Sequence, residues 1–203
     1  MSYRALLRSV LDLVREEPVL RQRMGLGAAA LGCFSILWTP IAFLLSGPPY
    51  HYGTAIIGLF GVAGLAGAAI APVAGRLADR GRGRSTTLGA ILALLGSWAL
   101  LAPAAHSLAA LIAGIVLLDL GSQALHISNQ SAIYALRPRA RSRLNTAYMV
   151  AYFVGGAVMS AAASLIYSVA GWGGVCVLGA ATAAAALCLW LVTSRDRVPP
   201  PIG

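Results

Sequence analysis

The sequence has no lysine and little charge of any kind. All 15 basic residues are arginine, only six are acidic, and charged residues make up 10% of the 203, where a soluble domain carries about 25%. Hydrophobic residues make up 59%, and the mean hydropathy is +0.79. So little charge excludes an ordinary soluble domain and predicts an integral membrane protein. Cysteine is scarce too. Cys33, Cys176 and Cys188 lie in apolar segments, with neither metal-ligand spacing nor a disulfide framework. They read as small hydrophobic filler. There is no HExxH and no supported Ser, His and Asp arrangement. One Asp and one His on the single polar helix are too few ligands for a metal. No enzyme, cofactor or metal is expected. Gly58, Gly61, Gly64 and Gly67 are not a phosphate loop, since no strand precedes them and no Lys follows. Small residues at that spacing suit close helix packing in lipid.

The charges that exist are placed with a pattern. No charged residue lies between Met24 and Gly75, too long for one span of about 20 residues and right for two. Five arginines precede Met24, four lie in 76–84, four in 137–143 and two in the tail. The turns Gly47–Gly53, Pro103–Ser107 and Gly171–Gly174 carry none. A net charge of +9 could suggest nucleic acid, but arginines at the ends of apolar runs orient a membrane protein instead. The positive-inside rule puts both termini in the cytoplasm and demands an even number of spans. The expectation is an all-α polytopic bundle of six, at about 25–46, 53–75, 86–104, 108–136, 145–169 and 173–193, within a domain 24–194. Residues 1–23 form a cytoplasmic linker whose amphipathic part, 2–17, lies on the membrane surface. Residues 195–203 form a cytoplasmic tail.

The span 108–136 is unlike the others. It carries Asp119, Gln123, His126, Asn129 and Gln130 in an otherwise apolar run. At about 100° per residue, Asp119, Gln123, His126 and Gln130 fall within roughly 60° of arc. Asp119 is the one acidic residue inside any apolar segment. A carboxylate at the bilayer centre costs about 2.5–3.5 kcal/mol on insertion scales, so it faces protein or water and is a functional candidate by default. The stripe predicts a proton-coupling and solute path through Asp119, Gln123 and His126. Asn129 and Gln130, nearer the cytoplasmic end, line the path or join helices. Tyr148 and Tyr152 share a face of the fifth span and either contact a lipophilic solute or pack.

The loop Gly75-Arg-Leu-Ala-Asp-Arg-Gly-Arg-Gly-Arg84 resembles the signature loop of the major facilitator superfamily, which joins the second and third helices of a six-helix half. Gly75, Leu77, Asp79 and Arg80 match. Gly81-Arg-Gly-Arg84 departs by one position, so either Arg82 or Arg84 stands for the last arginine. Leu118-Asp-Leu-Gly-x-Gln123, Ser128-Asn-Gln130, Arg141-Ser-Arg-Leu-Asn-x-x-Tyr148 and Tyr152-Phe-x-Gly-Gly156 resemble carboxy-terminal halves of bacterial drug- and metabolite-exporting members. The resemblance implies half of a transporter in the bacterial inner membrane, working by alternating access and exporting a small organic solute against protons. It implies a cytoplasmic gate at Gly75, Asp79, Arg80 and Arg84. The partners expected are the lipid bilayer, solute and protons, and a second six-helix half, which is a missing N-terminal half, a separate subunit or a second copy. The alternative is a non-transporting truncated half or the partner subunit of a split transporter. No nucleic acid partner is expected.

Overall fold

In the computed structural model every described element is helical. Residues 3–62, 76 and 83–195 are described. The tail from 196, residues 63–75 of the expected second span, and most of the loop that follows it lie outside them. The elements are α1 (Tyr3–Glu16), α2 (Pro18–Trp38), α3 (Ile41–Ser46), α4 (54–62), α5 (Gly83–Leu101), a 3₁₀ turn (Ala102–Ala105), α6 (Leu108–Leu136) and α7 (Arg141–Arg195). Four apolar stretches among the described residues are long enough to cross a bilayer: Pro18–Ser46, Gly83–Ala105, Leu108–Leu136 and Pro138–Thr193.

The last of these is not one rod. Gly171 sits at φ 60°, ψ −157°, a region open almost only to glycine. Beyond it the chain doubles back: Thr182 Oγ1 lies 3.9 Å from Met159 Sδ, so residues at similar distances on either side of Gly171 meet. The expected turn at Gly171–Gly174 therefore separates two arms, 141–170 and 172–195.

The bundle has two chemically distinct ends. At one, Tyr50 Oη donates to the Ala104 carbonyl at 2.5 Å and Trp172 Nε1 to the Leu101 carbonyl at 2.8 Å, tying together turns that carry no arginine. At the other, Arg137 Nη2 is 3.0 Å from Glu16 Oε2 and its Nε 2.7 Å from Glu17 Oε1. The hydrogen-bonded Glu16 carboxylate holds that guanidinium above its ordinary value. There α1 docks: its Leu13 is buried with Leu20, Ile133, Ala140, Leu144 and Tyr148. α6 matches the expected 108–136. α2 begins at Pro18, earlier than the expected 25, because proline suits the first turn of a helix, and the run is unbroken to Trp38, where the expected span 25–46 breaks before α3.

Glycines set the closest approaches. A Cβ on Gly155 would lie 2.6 Å from the Cα, Cβ and O of Ala28, so the first arm of α7 meets α2 backbone to backbone. A Cβ on Gly121 would come within 3.1 Å of Ala90 O and Leu94 N, which brings α5 against α6. This is how helices associate in lipid, by packing between small residues.

Candidate functional site

Asp119 lies eleven residues into α6, about 16 Å from its start at 1.5 Å per residue. The residue is 3% exposed. Trp38 Nε1, from the last turn of α2, donates a 3.2 Å hydrogen bond to Asp119 Oδ1. Asp119 forms part of a recess of about 140 Å³ with Leu31, Phe34, Ser122, Gln123 and Tyr152. A larger cavity of about 400 Å³ lies between α2 and the two arms of α7, lined by Gly25, Ala28, Gly155, Met159, Thr182 and Leu189 among others, with no titratable side chain. The chemistry is in the smaller one.

From Asp119 the polar stripe continues towards the arginine end, and the first arm of α7 answers it rung by rung. Gln123 is at the recess. The next rung is His126 Nδ1, 3.0 Å from Tyr148 Oη, with the Tyr152 ring centroid 4.6 Å from the imidazole. Then Gln130 Nε2 donates to Asn145 Oδ1 at 3.4 Å, and Tyr134 Oη donates to the same oxygen at 2.9 Å. Residues 119, 123, 126, 130 and 134 share one face of α6 because three- and four-residue steps return to it. Tyr152 belongs to both the recess and the His126 cluster, and so joins the first two rungs.

Asn129 does not line this face. It is fully buried and accepts from Arg23 Nη1 at 3.1 Å. The same Arg23 nitrogen donates to Thr87 Oγ1 at 2.9 Å, and Thr87 Oγ1 lies 2.7 Å from Ser128 Oγ. α2, α5 and α6 are thus joined in one buried polar layer. Tyr148 packs beside it, with a Cβ on Gly27 only 2.5 Å from its ring. Sequence reasoning assigned Arg23 to the basic segment outside the bundle. The available signal was Pro18, from which a helix carries Arg23 one turn inward. Trp38 as the partner of Asp119, and Asn145 as the partner of Gln130, carried no sequence signal.

Of the expected gate residues, Gly75, Asp79 and Arg80 lie outside the described residues. Arg84 is exposed, with its guanidinium carbon 5.5 Å from the centroid of the Trp190 ring, a cation–π contact to the last helix.

Comparison with known proteins decides the family. The model of the Major Facilitator Superfamily matches residues 26–203. The chain belongs to that superfamily. It is 45% identical over 190 residues to the "Uncharacterized transporter YgaY" of Escherichia coli O157:H7, covering 94% of this chain and 48% of that protein. It is 38% identical over 176 residues to the "Probable transporter SCO4007" of Streptomyces coelicolor, covering 86% and 41%. The chain spans about half the length of the curated relatives it matches. Family, apolar helices and relatives together make it a multi-pass membrane protein of a transporter family.

Proposed function

We propose that the chain is a six-span half of an alternating-access transporter in the bacterial inner membrane, with both termini cytoplasmic, exporting a small organic solute in exchange for protons. The observation that carries this reading is Asp119, a carboxylate buried in an apolar bundle, at a recess and at the head of a polar ladder. In the mechanism, Asp119 takes and releases a proton as the recess changes sides, and Gln123, His126, Tyr148 and Tyr152 line the route. Gln130 and Asn145 continue the ladder to the arginine end. The half supplies one wall of such a path; a second six-helix bundle supplies the other.

The test is proton movement in liposomes holding the chain with a complementary half and loaded with a pH dye. Solutes from a chemically diverse panel are added one at a time. The expected result is solute-dependent proton flux that Asp119→Asn abolishes. Flux that is unchanged in Asp119→Asn removes the coupling role, and a chain that remains strictly monomeric in the membrane with no second bundle removes the transporter reading.

A further inference from the structure

The recess has a chemistry that selects among solutes. Its carboxylate has no cationic partner: among the described residues no ion pair reaches Asp119. The buried Arg23 bonds instead to Asn129, ten residues and about 15 Å farther along α6. His126 is seven residues away, engaged with Tyr148 and Tyr152. The remaining polar groups are few and partly occupied. Trp38 spends its only N–H on Asp119, and Ser122 Oγ donates to the Ala30 carbonyl at 3.4 Å. Only Gln123 offers an uncommitted amide. Tyr152 adds a hydroxyl as well as its ring, and the rest of the lining is Leu31 and the ring of Phe34.

A polyhydroxylated solute would find the Gln123 amide and the Tyr152 hydroxyl, and each further polar group buried without a partner is costly. An anion would be repelled by Asp119. A cation with an apolar shell meets all three features: opposite charge, ring faces that attract a desolvated cation, and little demand for hydrogen bonds. At about 30 Å³ per water-sized group, the 140 Å³ on this one wall has room for about five non-hydrogen atoms, enough for a small ammonium head.

We propose that the recess formed by Asp119, Phe34, Gln123 and Tyr152 seats an alkylammonium head group, so that the transported solute is an organic cation whose tail leaves across Phe34. The assignment rests on the reading that this recess is the solute site. Asp119 supplies the charge, and Phe34 and Tyr152 are the specificity-determining walls.

The test is binding of radiolabelled hexyltrimethylammonium to the full chain in phosphatidylcholine nanodiscs, with displacement by the unlabelled cation, by nonanol and by hexanesulfonate. The expected result is displacement by the cation at a concentration at least tenfold below that of either competitor, and loss of this preference in Asp119→Asn. Tyr152→Leu and Phe34→Leu, which keep the charge, weaken the cation at least threefold and leave nonanol unchanged. Equal displacement by nonanol, or unchanged cation binding in the folded variants, overturns the assignment. The two readings fail separately. Asp119-dependent proton flux driven only by neutral or anionic solutes keeps the transporter and sinks the ammonium seat. Asp119-dependent cation binding without any flux keeps the seat and sinks the transporter.

Discussion

The indole N–H of Trp38 points at the carboxylate of Asp119 across the α2–α6 interface, 3.2 Å from Oδ1. This bond gives the carboxylate a fixed orientation inside the bundle and leaves the second oxygen for the recess. It also separates two roles that a single substitution usually confounds. Asparagine keeps an oxygen that accepts from Trp38 but carries no charge and exchanges no proton. We expect Asp119→Asn to melt within about 3 °C of wild type, a shift worth less than about 1 kcal/mol, while pH-driven flux falls to background. Asp119→Leu leaves the buried indole N–H without an acceptor, at a cost of about 1–3 kcal/mol. Thermal unfolding in detergent beside the flux assay checks both. If Asp119→Asn unfolds as readily as Asp119→Leu, the carboxylate is a structural acceptor.

Arg23 should behave as a buried structural cation. Its Nη1 serves Thr87 and Asn129 together, at 8% exposure. Arg23→Met leaves Asn129 Oδ1 without this donor inside the bundle and is expected to cost about 2–4 kcal/mol. Arg23→Lys keeps the charge but loses the planar fork, and should fall between wild type and Arg23→Met. Melting temperatures that do not separate the three would mean that the layer contributes nothing to stability.

The α2–α7 seam predicts a contrast between glycines. A Cβ on Gly155 meets the Ala28 backbone at 2.6 Å, whereas one on Gly58 meets nothing within 4 Å. Gly155→Ala should destabilise by about 1–3 kcal/mol through forced separation of the helices, and Gly155→Val by more. Gly58→Ala should change stability by less than about 1 kcal/mol. Fluorescence-detected gel filtration after heating distinguishes them, and equal loss in both would refute the close approach.

α1 is clasped to the arginine end by Arg137, which bridges Glu16 and Glu17, and by the burial of Leu13. The ion pairs are exposed, so salt screens them. Hydrogen exchange in 3–16 should rise modestly in 1 M salt or in Arg137→Ala, and much more in Leu13→Ser. A larger effect from Arg137→Ala than from Leu13→Ser would mean that charge, rather than burial, holds the helix.

Much of this was legible because lipid imposes strict rules on a sequence. A helix in hydrocarbon satisfies its own backbone, so an uncharged run of the right length identifies itself, and α6 falls at the expected 108–136. The stripe on α6 was legible for the same reason: polar residues are rare enough in such a run that their three- and four-residue spacing stands out. The four-residue spacing of Tyr148 and Tyr152 puts them on one face, and they meet the stripe through His126. Arg23 was misread because arginine near a span's end usually marks the membrane boundary. Here the helix had already begun at Pro18, and the side chain turns inward.

The sequence by itself determined the membrane class, the all-helical character and the polar face of α6, because each depends on length, hydropathy and a period of 3.6 residues along a single segment. The tertiary structure alone decided the partners: Trp38 for Asp119, Asn145 for Gln130, and Arg23 for Asn129 and Thr87. Those pairs lie 15 to 106 residues apart, and only the packing of helices against one another, through contacts such as Gly155 on Ala28, fixes which side chains face each other.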